Sequence, residues 1–232
     1  MKKPLLWGLG ILVVLVAVVV AAGPWFYRQF IAGDADPELT LPSQTQAATT
    51  GIDGTRTVVP GPVDDANRTQ VGYRADETLR GSPLTVNGRT SKVTGEAVVT
   101  GSKLESATFT VDVASITSPE SGRDNQFRGE DIMDVAKFPT SEFKVTQPVD
   151  FSALPESEAP MTVAVPGTMT NKGVTRDATG KLDVKRAGER GDRRGSVPVT
   201  WTDYGVAPPD FAGFVKVRPT GTIEFLVNLT KK

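Results

Sequence analysis

Ala107-Thr108-Phe109-Thr110-Val111-Asp112-Val113 alternates without a break, apolar at each odd position and polar at each even one. Successive side chains of a strand point to opposite faces, so this period of two marks a strand with one buried face. Near the other end of the chain, Ile223, Phe225, Val227 and Leu229 face one way and Thr222, Glu224 and Asn228 the other, with Leu226 out of phase. Between and around these two lie further candidates: Gln70–Ala75, Lys92–Thr100, Ser141–Thr146, Met161–Val165, Lys181–Lys185, Ser196–Thr202 and Val215–Arg218. Asn87-Gly88, Gly101-Ser102, Asn171-Lys172-Gly173 and Thr179-Gly180 read as the turns that separate them.

About nine antiparallel strands must stack as two sheets or close into a barrel, and periodicity leaves both open. A single stretch has helical character, Arg123–Ala136, with Phe127, Ile132, Met133 and Val135 as its buried stripe and Phe138-Pro139 as its end. Asp124 is placed to cap it, and Arg123 to pair with a carboxylate at the end of the sheet.

Composition narrows the chemistry. The 232 residues include no cysteine and no histidine. That removes disulfides, thiolate nucleophiles, the Ser-His-Asp triad and the usual zinc ligands, which disfavours an enzyme. The carboxylate neighbours Asp64/Asp65 and Glu130/Asp131 lie in charged, turn-like surroundings and read as solvated turns, not as an acid–base pair. Lys185 to Arg194 reads as a mixed-charge hairpin tip in solvent. Beyond Lys2 and Lys3 the charges sum to −3, from 24 basic and 27 acidic residues, so no nucleic acid is expected as a partner. Asn67-Arg68-Thr69 and Asn228-Leu229-Thr230 match the N-glycosylation pattern.

The N-terminal region is of another kind. Leu5–Ala22 carries no charge over 18 residues, a helix of about 27 Å against a hydrocarbon core of about 30 Å. Trp25, Phe26 and Tyr27 follow as an interfacial belt, and Lys2 and Lys3 hold the N-terminus in the cytoplasm. The reading is a cytoplasmic N-terminus over residues 1–4, a transmembrane signal-anchor over 5–27, a flexible extracytoplasmic linker over 28–54 and a β domain over 55–232. A cleaved signal peptide is the alternative to the anchor, and it exports the domain equally. The expected location is the cell membrane, single-pass, with the domain outside.

Several segments, in order, resemble the YceI-like family. Phe109-Thr110-Val111-Asp112-Val113-Ala114-Ser115-Ile116 resembles its D-x-x-S-I strand end, and Arg123-Asp124 its R-D pair. Asp131 to Phe143 resembles its stretch ending in P-x-x-x-F. Gly167-Thr168-Met169-Thr170-Asn171-Lys172-Gly173-Val174-Thr175-Arg176 is similar to its G-x-L-T-x-x-G-V-T-R hairpin, and Asp203-Tyr204-Gly205-Val206 to its D-F/Y-G-I. Gly95 falls in its glycine-bearing strand. The sequence departs from the family at Asp65-Ala66-Asn67-Arg68-Thr69, which lacks the histidine of A-H-S, and at Asp131–Asp134, where aliphatics replace aromatics. The resemblance implies an all-β, antiparallel, lipocalin-like barrel of about eight strands with one short helix. It implies a polyisoprenoid or other long-chain lipid in the interior, and neither catalytic residues nor a further cofactor.

The expected barrel lining is Phe109, Val111, Phe143, Val163, Val199, Trp201, Tyr204, Phe225 and Val227. By periodicity alone the same positions serve a solid core equally well, because an eight-stranded barrel is just wide enough to be filled by side chains or to hold one ligand. Two functions therefore compete: a membrane-tethered lipid carrier, and a ligand-free structural or adaptor module. The expected partners are an apolar lipid and the membrane through the N-terminal helix, with a homodimer left open.

Overall fold

The structure, a computed structural model, describes residues 22, 35–41, 53–61, 67–155, 159–184, 191–210 and 215–232. Apart from Ala22, the segment read as a membrane anchor lies outside them, as does most of the linker. Among the described residues no helix is long and apolar enough to cross a membrane.

The described residues form eleven strands: β1 (Gly54–Val59), β2 (Gln70–Leu79), β3 (Ser82–Thr90), β4 (Val93–Thr100), β5 (Lys103–Asp112), β6 (Thr140–Val145), β7 (Val149–Asp150), β8 (Met161–Asn171), β9 (Val174–Val184), β10 (Gly191–Thr200) and β11 (Val215–Lys231). Every pairing is antiparallel. Eight of the strands close a circuit, β1-β4-β5-β6-β8-β9-β10-β11 and back to β1, so the architecture is a barrel and not a two-layer sandwich. Closure depends on the length of β11. Its first part pairs with β2 as far as Leu226↔Gln70, and its last four paired residues, Asn228–Lys231, take β1 on the same edge. β1 and β2 thus share one position in the wall, with a clasp between them. Thr69 donates to the Val59 carbonyl (2.6 Å), and the Asn228 amide donates to the Asn67 carbonyl (2.9 Å). Asn228 is buried in this clasp, which removes it as a glycosylation acceptor.

Three hairpins turn on two residues with positive φ: Arg80-Gly81 (47° and 84°), Gly101-Ser102 (55° and 68°) and Lys172-Gly173 (46° and 74°). Paired positive φ values match the right-handed twist of the flanking strands. Two of the three agree with the turns read from sequence. Asn87-Gly88 and Thr179-Gly180 do not turn at all; they lie inside β3 and β9, fully registered with β2 and β8. Their glycines serve the interior instead.

The helix, α1 (Ser121–Arg128), is shorter than the Arg123–Ala136 expected. Glu120 caps it by accepting from the Gly122 N–H at 3.0 Å. Asp124 is buried in the first turn, where it accepts from the Ser118 N–H (2.8 Å) and hydroxyl (2.7 Å). Beyond Gly129 the chain coils tightly, with Asp134 at a φ of 45°. The expected apolar stripe still packs together: Phe127, Ile132 and Val135 lie against buried Met133, Val113, Ile116 and Val206. Arg128 binds α1 to one end of the barrel by donating to the carbonyls of Ala114 and Ile116, each at 2.9 Å.

Within the stretch read as a linker, residues 35–41 lie along the outer wall. Glu224, on the outward face of β11, is held between Arg74 (3.2 Å) and Arg89 (2.7 Å). The same two guanidiniums donate to the carbonyls of Asp36 (2.7 Å) and Pro37 (2.5 Å). The Asp36 N–H donates to the Asn87 side chain at 2.8 Å. Leu39 and the out-of-phase Leu226 are both buried, and Glu38 reaches Arg194, the register partner of Leu226. The strap thus runs beside the part of β11 where an apolar residue faces outward. Glu224→Ala strands two largely buried cations and loosens the strap, so urea unfolding should give a loss of about 3 kcal/mol.

Candidate ligand-binding cavity

The barrel encloses a cavity of about 550 Å³, within the range of about 300–1,000 Å³ that small-ligand sites occupy. A barrel of this size is easily filled by its own side chains. What keeps it open is how the aromatics lie. Five large rings of the wall, Tyr73, Phe109, Phe143, Trp201 and Phe225, lie against glycines of neighbouring segments. A Cβ built on Gly88 would come within 2.7 Å of Tyr73, on Gly95 within 2.5 Å of Phe109, and on Gly167 within 2.6 Å of Phe143. On Gly195 it would collide with Phe225, and on Gly221 with Trp201. The rings occupy the space above the glycine positions, where no side chain competes with them. Small residues at other inward positions, Ala75, Ala97, Ala107 and Gly180, widen the lumen further.

The two ends differ. At the α1 end, Phe127 stacks on Tyr73 with ring centroids 4.9 Å apart, and Arg123 lies 4.0 Å from Glu77. This is the carboxylate pairing expected of Arg123. Burial pushes the Glu77 carboxyl up, and the Arg123 guanidinium only partly offsets it. Burial also pushes the Tyr73 phenol to about 12. The opposite end is closed by Phe151 and Leu154, which follow β7, and by buried Arg56 on β1. Among the described residues no group of three or more His, Cys, Asp or Glu side chains could hold a metal ion.

Six of the nine expected lining residues stand on the cavity wall: Phe109, Val111, Phe143, Trp201, Phe225 and Val227. The other three do not. Val163 packs against the main core cluster at the far end of β8. Val199 and Tyr204 are buried with Met169 and Val197 beneath the turn that follows β10, and burial raises the Tyr204 phenol there. The alternation reading places these side chains on the correct face but does not register depth along the barrel. It also passes over Arg56, Glu77 and the small inward residues, because they carry no apolar bulk.

The described residues form a closed antiparallel barrel of eight strands with an apolar interior and one helix at its end. The YceI-like domain model matches residues 63–229, and the chain belongs to that family. Two solved structures share its fold. BcnA of Burkholderia cenocepacia is 19% identical over 69% of this chain and 95% of its own, with a TM-score of 0.56. A polyisoprenoid-binding domain of Saccharophagus degradans, implicated in plant cell wall breakdown, is 17% identical over 76% of this chain and 98% of its own, with a TM-score of 0.57. No curated protein matches the chain.

Gly88→Ala displaces Tyr73 and Ile116 side chains without touching backbone. It should cost about 1–3 kcal/mol, and adding Tyr73→Ala should recover part of that loss. A double-mutant cycle by urea unfolding should give a coupling of at least about 1 kcal/mol. Glu77 supplies a pH test. A carboxyl raised in the folded state binds its proton more tightly there than in the unfolded chain. Stability from this group is therefore full below its ordinary value, near 4.5, and falls as pH rises through the raised one. Denaturation at a series of pH values should show a shallower decline for Glu77→Gln across that window.

Proposed function

We propose that the protein is a membrane-tethered carrier that holds one polyisoprenoid or other long-chain lipid inside its barrel, on the extracytoplasmic side of the cell membrane. The observation that carries this reading is the apolar cavity kept open by ring-on-glycine contacts. A solidly packed adaptor would fill the middle of its barrel with side chains, whereas here large rings take the space beside glycines and an apolar cavity is left. An apolar ligand of isoprenoid or acyl type suits a wall whose polar groups gather at its two ends. The polyisoprenoid binding of the Saccharophagus degradans relative supports the same ligand class.

Residues 5–27 act as the anchor and residues 28–54 as the connection to the domain. Their apolar run, aromatic belt and the basic pair Lys2-Lys3 support this orientation. A carrier fixed near the bilayer meets a ligand that is almost insoluble in water at the place where that ligand resides. Function then follows from binding and release, with no chemical step assigned to the barrel.

The full chain, prepared from the membrane fraction of its natural host, should yield one isoprenoid or acyl species per chain by mass spectrometry of organic extracts. Gly180 lies on the cavity wall with its nearest neighbour 3.6 Å from an added Cβ. Gly180→Leu should thus fold normally yet lower lipid occupancy at least about fivefold. Clean extracts from the wild-type chain overturn the lipid reading, and recovery of the full chain in the soluble fraction overturns the anchor.

A further inference from the structure

The two ends of the lumen differ in access. At the β7 end the residues that line it, Arg56, Val99, Leu104, Phe151 and Leu154, are all buried. At the α1 end the lining includes Gly122 and Gln126 of the helix, both exposed, together with half-buried Pro208, Pro209 and Val215. The cavity therefore reaches the surface beside α1, through a rim that carries apolar side chains.

The chain joins the domain on the same side. Among the described residues its first hydrogen bonds to the barrel wall are those of Asp36 and Pro37, with Arg74, Asn87 and Arg89. Arg89 in turn exchanges backbone hydrogen bonds of 2.9 and 3.1 Å with Thr117, four residues before α1. The neighbouring Ile116 carbonyl receives Arg128 of the helix. The β7 end is met only later in the chain, at Asp53, which accepts from the Ser102 N–H at 3.2 Å.

This order limits how the domain sits on its anchor. Residues 28–54 read as one linker, but the strap fixes Asp36 to the wall, and Asp36 is nine residues beyond Tyr27, the last residue of the expected anchor. A flexible chain of that length spans about 16 Å when relaxed and about 32 Å when drawn straight. β5 runs the length of the barrel in ten residues, which at ordinary rise and tilt is about 25 Å. With the α1 end toward the bilayer, the tether keeps its relaxed length. With the β7 end toward it, most of the barrel is added to the path, and the tether loses entropy as it straightens.

We propose that the α1 end is a membrane-docking surface, held by the short tether against the bilayer that the anchor spans, so that an apolar ligand leaving the cavity enters lipid without crossing water. This inference rests on the anchored-carrier reading and gives it an orientation.

The chain has no cysteine, so single-cysteine variants of the full chain take one fluorophore each. Ala207, beside the rim prolines, and Ala153, between Phe151 and Leu154, are both exposed. Ala207→Cys and Ala153→Cys therefore report on the two ends, and circular dichroism checks that each folds. In phosphatidylcholine nanodiscs containing a lipid with a head-group nitroxide, the Ala207→Cys label should be quenched at least about threefold more than the Ala153→Cys label, given some 25 Å between the ends. Inserting about twenty Gly-Ser residues after Ala32 lengthens the relaxed tether to roughly 30 Å and should bring the two signals together. Equal quenching at both ends, or stronger quenching at Ala153→Cys, overturns the docking surface and leaves the anchored carrier standing. A ratio unchanged by the insert overturns the tether as its cause. Failure of the full chain to enter nanodiscs removes the anchor and this inference together.

Discussion

The contact of five interior rings with glycines on neighbouring segments is the constraint on which the cavity depends. Eight antiparallel strands enclose a space that ordinary side chains fill, and a filled barrel is a stable one. Tyr73, Phe109, Phe143, Trp201 and Phe225 bring enough volume to do so. Because Gly88, Gly95, Gly167, Gly221 and Gly195 lie beneath them, the rings contribute their area to the wall and not to the middle. Glycine in a strand costs conformational entropy. The aromatic faces laid over the glycines offset part of that cost, so stability and an open lumen come from one set of contacts.

The outer wall obeys a second constraint. Glu224 would be an unwelcome charge on a buried outward face were it not held by Arg74 and Arg89, and those two cations also grip the backbone of Asp36 and Pro37. One carboxylate thus joins β2, β3, β11 and the strap. The strap reaches the outer wall at Arg74, Asn87, Arg89 and Arg194, and the interior is left to the ring-bearing face. Inside and outside are stabilised by different means, apolar contact within and a charged cluster without.

Much of this was legible in the sequence. Strict alternation at Ala107–Val113 and along β11 identifies the strands, and Gly101-Ser102 and Asn171-Lys172-Gly173 identify two hairpins by their need for positive φ. The ordered motifs from Phe109 to Val206 point to the barrel and the family. Gly88 and Gly180 misled for a physical reason: a glycine that makes room for a ring or a lumen looks the same in sequence as one that makes a turn. The expected helix outruns α1 because Ile132, Met133 and Val135 keep a helical spacing while the chain coils irregularly beyond Gly129. Val163, Val199 and Tyr204 face the interior but lie at levels where other side chains cover them, and position along the barrel axis leaves no periodic trace. Leu226 departs from the alternation of β11 and is buried on its outward face, and the burial of Leu39 in the strap has no periodic signal either.

The seam between β1 and the final residues of β11 has a consequence for how the domain is made. The two strands that zip the ring shut come from opposite ends of the domain, so no closed barrel exists on the ribosome until β11 has emerged. Until then the glycine-bedded rings face a trough open along its side, and contacts of such long range form slowly. A greasy molecule that settles in the trough before the seam zips needs no doorway afterwards. Biogenesis and loading would then be one event.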